Sequence, residues 1–168
     1  MADFLPAFEA VLLAEGGYKL TDVPGDRGRQ TYAGISRRSW PHWPGWADID
    51  AGRTPEATLV RNFYLANFWN VIRGDEITSQ RVAECLFGFA VNAGHLVAVK
   101  LAQLVVGATP DGRLGPVTLG RVNETAPEVF IAQYTLAKIA RYRDIVTKDR
   151  TQLPFLLGWL NRVLKEAA

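Results

Sequence analysis

The chain has 168 residues, a formal net charge of +2 and 48% hydrophobic residues, the composition of one ordinary globular domain. A single cysteine excludes an internal disulfide, and no apolar run reaches the ~18 residues of a membrane-spanning helix. The basic excess is too small to indicate a nucleic-acid partner. Residues 1–84 carry 9 basic and 11 acidic side chains, whereas residues 85–168 carry 10 and 6. The excess in the second half, which includes Lys138, favours either approach to an anionic polymer or a solvated helix face.

Helix-start and helix-stop signals define the first segment. Asp3 can cap a helix whose first turn holds Pro6, and Gly16 and Gly17 end that helix. Glu15 is therefore predicted at the last helical position, where the partial negative charge of the helix end favours a protonated carboxyl. The apolar stripe of this helix consists of Phe4, Phe8, Val11 and Leu12.

Turn-forming residues between Pro24 and Gly28, followed by the run 31–35, predict a short hairpin or looped β element near residues 18–36. Residues 39–53 predict an ordered loop or short helical turns that carry Trp40, Trp43 and Trp46.

The remainder of the sequence is typical of helices. Thr54-Pro55 predicts a helix start, and the buried face is expected to contain Leu59, Val60, Phe63, Tyr64 and Phe68. Further helices are predicted over 79–93, 96–106, 116–123 and 127–147. Pro154 is predicted to open the last helix, with Leu156, Leu157, Leu160 and Leu164 facing inward. Cys85 falls in an apolar run and is expected to be a small buried hydrophobe.

These elements predict a mainly α, single-domain chain over residues 1–168 with one small β-hairpin element near 18–36. Within it, residues 1–72 would form a half that carries the catalytic signature. Residues 73–168 would form a helical half that does not fold independently.

Three polar residues near the N-terminus could carry hydrolytic chemistry. Glycoside hydrolysis needs a carboxylic acid that protonates the leaving oxygen and a second group that attacks or places water. The acid must keep its proton near neutral pH, which an apolar setting favours. Glu15 follows three apolar residues, and Asp26 and Thr31 lie in the next turn and strand. By spacing alone, a Glu before Gly-Gly is more often an ordinary exposed helix end.

Four sequence blocks together resemble glycoside hydrolase family 108 and its peptidoglycan-binding segment. The first block joins residues 15–18, Glu-Gly-Gly-Tyr, to residues 26–35, Asp-Arg-Gly-Arg-Gln-Thr-Tyr-Ala-Gly-Ile. The others are 89–94, 111–119 and 155–163. The family comprises bacterial and phage N-acetylmuramidases with a lysozyme-like fold, so the resemblance implies that fold.

The resemblance also implies activity and site residues. A muramidase of this kind cleaves between N-acetylmuramic acid and N-acetylglucosamine, with Glu15 as general acid. Asp26 would be the base or electrostatic partner, and Thr31 the hydroxyl that positions water. The stereochemical outcome stays open: inversion if the two carboxyl groups lie ~6.5–9.5 Å apart, retention at ~5–5.5 Å.

Three further residues are candidates for substrate binding, each with a structural alternative. Tyr18 either lines the sugar site or packs the hairpin onto the first helix. Trp46 could stack on a sugar ring, although most tryptophans are core residues. Asn92 could bind an N-acetyl group or be a satisfied core amide. The family resemblance implies that the 111–116 loop binds the cell wall. Its Gly and Asp content instead favours a structural role as a turn and helix start.

No cofactor or metal is expected, because His42 and His95 have no neighbouring ligand spacing and a zinc hydrolase usually needs three protein ligands. The expected partner is bacterial peptidoglycan, with no nucleic acid, no membrane insertion and a monomeric state. A lytic transglycosylase that also uses Glu15, and a non-catalytic wall-binding protein, remain alternatives.

The N-terminus begins Met-Ala-Asp without a signal-peptide pattern, which predicts synthesis in the host cytoplasm and action in the periplasm or cell wall. A phage endolysin released through a holin-type pore fits that prediction best, and a toxin delivered by a secretion machine is the second choice.

Overall fold

The structure is a computed structural model, and it describes residues 1–22 and 30–167. These residues divide into two compact units. One comprises the described residues between 3 and 70, and the other comprises residues 1–2 with 71–167. We call them the N-terminal unit and the helical unit. The division falls close to the predicted boundary between 72 and 73, while a single domain in which the helical half cannot fold alone stays a prediction.

The N-terminal unit begins with helix α1, Phe4–Ala14. As predicted, the Asp3 carboxylate caps it by accepting from the Leu5 amide at 3.0 Å. Phe8 packs on the ring of Tyr64 at a centroid distance of 5.7 Å. The predicted stripe is the buried face of the helix, with Phe4, Phe8 and Leu12 buried and Val11 partly so.

Strands β1 (Leu20–Asp22), β2 (Gln30–Tyr32) and β3 (Ile35–Ser36) follow, and within the described residues they form an antiparallel sheet in sequence order. Thr31 of β2 pairs with Thr21 on one side and with Ser36 on the other. The β element therefore lies where the sequence predicted it.

The unit ends in helices α2 (Gly45–Asp50) and α3 (Ala57–Tyr64), and α3 continues as a π-helical turn over Leu65–Trp69. The prediction that Thr54-Pro55 starts a helix is wrong. Glu56 still has extended backbone angles, φ −62° and ψ 141°, so helical geometry begins at Ala57. The predicted buried face of α3 is confirmed.

The helical unit opens with a 3-10 turn over Gly74–Glu76 and is otherwise built of packed helices. Their bounds are α4 Gln80–Ala93, α5 His95–Val105, α6 Pro116–Glu124, α7 Pro127–Lys148 and α8 Leu156–Ala167. Each of the first four lies within two residues of its predicted range. No described helix is both long enough and apolar enough to cross a bilayer.

The C-terminal segment differs from the prediction in two respects. Pro154 does not open a helix, because it lies inside a 3-10 turn over Arg150–Phe155, at whose start the Asp149 carboxylate accepts from the Thr151 amide. The predicted inward face of α8 is also wrong at Leu157 and Leu164, which are 69% and 57% exposed. Instead Trp159 stacks on Tyr142 of α7 and Val163 is buried, which fixes the rotation of α8 about its axis.

Lys138 of α7 corrects the expectation of a solvated basic face, because its side chain is fully buried. Its ammonium donates to the Glu166 carboxylate of α8 at 2.8 Å and lies 5.1 Å from the ring centre of Tyr134. The predicted burial of Cys85 is confirmed, and burial raises the pKa of its thiol. A buried ammonium with one carboxylate partner thus ties α8 to α7.

Lys138 and Glu166 are expected to respond unequally to substitution. Glu166→Ala leaves a buried ammonium without its partner and should lower the free energy of unfolding by about 3 kcal/mol. Lys138→Met leaves only a partly exposed carboxylate and should cost less than about 1 kcal/mol. Urea unfolding of both variants measures the difference, and equal losses would contradict this account of the pair.

Candidate active site

The end of α1 places Glu15. Glu15 is the C-cap residue, and its amide donates to the Val11 carbonyl at 2.9 Å. Gly16 and Gly17 follow with φ of 90° and 73°, and their amides donate to the carbonyls of Leu13 and Leu12. This is a Schellman ending, in which residues with left-handed backbone close the helix. The helix therefore ends at Glu15, which confirms its predicted position, while its catalytic role stays a prediction.

A tight two-residue turn joins β2 to β3. Ala33 and Gly34 have φ of 48° and 77°, which is the left-handed pair that a type I′ hairpin turn requires. Glycine adopts this geometry freely, whereas alanine pays roughly 1 kcal/mol for it. Ala33 is nevertheless fully buried, so the surrounding residues must hold the strained turn.

Gly34 is where Glu15 and Tyr64 meet the hairpin. A Cβ atom at Gly34 would lie 2.4 Å from the Tyr64 hydroxyl oxygen and 3.0 Å from both Cβ and Cγ of Glu15. No real Cβ tolerates the first distance, so only glycine lets these two side chains approach the turn. The stem of Glu15 is thus packed against backbone.

The Tyr64 hydroxyl holds the turn from the α3 side. It donates to the carbonyl of the strained Ala33 at 2.9 Å. Burial, and second the negative charge of Glu15, raise the pKa of Tyr64 far above its ordinary value. The phenol therefore stays protonated at any physiological pH and remains a permanent donor to the turn.

The Glu15 carboxyl has no partner among the described residues. Its carboxylate has neither a hydrogen bond nor an ion pair with any other residue in 1–22 or 30–167. Arg37, a cation of the same unit, is occupied by a bidentate pair with Asp50 at 2.6 and 2.7 Å. The carboxyl is therefore partly buried and unpaired among the described residues, which leaves its oxygens available to a bound substrate.

Of the other two predicted catalytic residues, the structure describes Thr31 and does not describe Asp26. Thr31 is partly buried on β2, two residues before the turn that contacts Glu15, and its carbonyl accepts from the Thr21 hydroxyl at 3.3 Å. Its place on the same hairpin is consistent with a role beside Glu15. Asp26 lies outside the described residues, so its role stays a prediction.

Of the predicted substrate-binding aromatics, Tyr18 is accessible and Trp46 is not. Tyr18 follows the helix-ending glycines and is 46% exposed. Trp46 is 3% exposed, its indole N–H donates to the Trp40 carbonyl at 2.8 Å, and the Arg37 guanidinium covers its ring at 5.2 Å. Trp46 therefore offers no ring face to a sugar, and we leave it out of the proposed site.

Asn92 belongs to the helical unit, on the last turn of α4, and its side chain is exposed. The alternative of a satisfied core amide is thereby excluded, while contact with an N-acetyl group stays a prediction. No cluster of His, Cys, Asp and Glu that could hold a metal ion occurs in the described part of the chain.

Sequence reasoning missed Gly34 and Tyr64 as parts of this site. Gly34 was visible only as a residue of the family motif, and Tyr64 only as one member of an apolar helix face. One signal was available: a phenol on a buried face needs a hydrogen-bond partner, and a strained turn exposes a carbonyl that needs a donor.

Gly34→Ala is expected to displace Glu15. The rate at which sugar fragments are released from peptidoglycan should therefore fall by about 100-fold or more. Gly52→Ala is the matched control, because Gly52 has φ 72° and open space where a Cβ would lie. It should lose about 1 kcal/mol of stability and keep its activity. Similar activity in both variants would contradict the contact at Gly34.

Comparison with known proteins supports the predicted family. Residues 8–94 match the family described as Glycosyl hydrolase 108, and residues 97–164 match one described as Predicted Peptidoglycan domain. No curated protein matches the chain. A solved structure entitled "Structure of Brucella abortus SagA" is 28% identical, with a TM-score of 0.75 over 98% of this chain and 91% of that one.

These findings confirm the mainly α, lysozyme-like fold class with its small β element. The two family matches indicate a glycoside hydrolase that acts on peptidoglycan. The first match covers more than half of the sequence and includes Glu15, Gly34 and Tyr64. The chain belongs to the glycosyl hydrolase 108 family.

Proposed function

We propose that this protein is a muramidase that hydrolyses the β-1,4 bond between N-acetylmuramic acid and N-acetylglucosamine, with Glu15 as its general acid. The observation that carries the proposal is the close approach of the Glu15 stem to Gly34, at the turn that the Tyr64 hydroxyl also reaches. A carboxyl whose stem is held in place, and whose oxygens have no partner among the described residues, is positioned to act on a bound substrate.

In the proposed reaction, Glu15 donates its proton to the glycosidic oxygen as the bond to the anomeric carbon breaks. Positive charge then develops on the sugar ring, as in other glycoside hydrolyses. Asp26 and Thr31 are proposed to hold the attacking water on the opposite face. That water supplies the hydroxyl of the new reducing end, and its other proton passes to the Asp26 carboxylate, which then releases it to solvent. Glu15 ends the step ionised and regains a proton from solvent.

Tyr64 has a different part in the proposal, because its hydroxyl donates to Ala33 and not to the substrate. It is a positioning residue that holds the turn on which Glu15 rests. Tyr18 and Asn92 are proposed as substrate contacts, since both side chains are exposed.

A phage endolysin that lyses its host, with release through a holin-type pore, remains our proposal for the biological role. It is motivated by the combination of glycosidase and peptidoglycan family matches in one chain. Deletion of the gene from a phage genome tests this role. Host lysis at the normal time without the protein would contradict it.

Digestion of purified peptidoglycan by the wild type and by Glu15→Gln, followed by mass spectrometry of the fragments, tests the chemistry. The wild type should release reducing muramic acid ends, and the variant should be slowed by at least about 100-fold, because the substitution removes the proton and keeps the shape. Glu9→Gln, which changes an exposed carboxyl on the same helix, is the control. Intact wall binding without cleavage by the wild type would contradict the proposal.

The roles of Asp26 and Thr31 separate hydrolysis from a lytic transglycosylase. A transglycosylase uses the muramic 6-hydroxyl as nucleophile, leaves an anhydro end and needs no placed water. Asp26→Asn and Thr31→Val should therefore each reduce cleavage by about 100-fold in a muramidase. Anhydro ends from the wild type, or full activity in both variants, would favour the transglycosylase.

A further inference from the structure

A cavity of about 480 Å³ lies in the helical unit, at the loop that joins α5 to α6. This volume is within the usual range for small-ligand sites. Its lining is polar for a cavity beside packed helices, and includes Gln103, Thr109, Asp111, Arg113, Thr118 and Arg121.

Gln103 builds the floor of this cavity and fixes the loop around it. Its side chain is 1% exposed, and its Nε2 donates to the Asp111 carboxylate at 2.7 Å and to the Arg113 carbonyl at 3.0 Å. Its Oε1 accepts from the Gly112 amide at 2.9 Å. The loop is thus held by protein alone, and the cavity is preformed.

Thr118 presents hydrogen-bonding capacity that the protein leaves largely unused. The two protons of Gln103 Nε2 are used by its shorter bonds to Asp111 and Arg113. The Thr118 hydroxyl lies 3.3 Å from the same nitrogen as a third acceptor. Thr118 is 5% exposed and lines the cavity. It also lies in the first turn of α6, which has no side-chain cap and begins with Pro116. A buried hydroxyl and uncapped helix amides therefore adjoin the same space.

The charges around the cavity favour an anion. The Arg121 guanidinium donates to the Gly107 carbonyl, and this bond fixes it at the side of the cavity. Arg113 contributes its backbone to the loop, and its guanidinium makes no hydrogen bond or ion pair within 4.0 Å to the described residues, although its charge helps to lower the pKa of Asp111. Asp111 is the only carboxylate in the lining, and bonds from Gln103 and the Arg113 amide lower its pKa, so it stays ionised. Two guanidinium groups against one engaged carboxylate leave a net positive cavity.

We propose that this cavity binds a free carboxylate of the peptide stem of peptidoglycan, with Arg113 and the Thr118 hydroxyl as its ligands. The inference rests on the proposed function for its choice of substrate. In the intact wall the lactyl group of muramic acid is joined to the stem by an amide, so the glycan is neutral. The free carboxylates belong to the stem, and a guanidinium is well suited to bind them.

Calorimetric binding of a muramyl tetrapeptide tests the proposal. This probe carries one sugar and no glycosidic bond between sugars, so the wild-type protein cannot cut it. Arg113→Gln keeps both backbone bonds of the loop and should weaken binding about tenfold. Arg150→Gln removes an exposed charge elsewhere in the helical unit and should leave binding unchanged.

A fully amidated tetrapeptide distinguishes the carboxylate from the rest of the probe, and should bind the wild type about tenfold more weakly, with no further loss in Arg113→Gln. Amide resonances of Gly112 and Thr118 should shift on titration with the acid form. Equal binding of the two peptides, or equal binding by wild type and Arg113→Gln, would overturn the proposal. Peptidoglycan cleavage by the same samples is scored separately, so failure of binding and failure of the muramidase assignment are distinguishable.

Discussion

The close approach of Glu15 and Tyr64 to the backbone of Gly34 is the constraint on which the N-terminal unit depends. Helix α1 must end at Glu15, β2 must turn into β3 at Ala33 and Gly34, and α3 must present Tyr64 to that turn. Three separate segments therefore meet at one glycine. Their convergence holds the stem of a helix-end carboxyl in one place, and a proposed general acid needs that fixed position.

Local signals predicted most of the helices, because they act over a few residues. The Asp3 cap, the Gly16-Gly17 stop and the start of α7 at Pro127 depend on local signals, and each is found where it was predicted. Two expectations fail where a contact between distant residues decides. Trp159 stacking on Tyr142 sets the rotation of α8, and Glu166 draws Lys138 into the interior. Neither partner is near in sequence.

Some residues of the candidate site could be predicted from the sequence, and others could not. Glu15 and Thr31 could be selected from sequence, because carboxyl and hydroxyl groups after an apolar helix are recognisable and a family motif contains both. Gly34 and Tyr64 could not, since their importance lies in a contact between residues 30 positions apart. Trp46 is a residue that the sequence suggested and the structure excludes. Its indole N–H donates to the Trp40 carbonyl and the Arg37 guanidinium covers its ring, so no ring face is left for a sugar.

The most direct test of the central claim is a crystal structure of Glu15→Gln with a bound muramic acid–glucosamine tetrasaccharide. The account predicts that the side chain at position 15 lies about 3 Å from the glycosidic oxygen between the two central sugars. It also predicts that the Tyr64 hydroxyl still donates to Ala33. A glycan bound with that oxygen out of hydrogen-bond reach of position 15, and nearer another carboxyl group, would contradict the account.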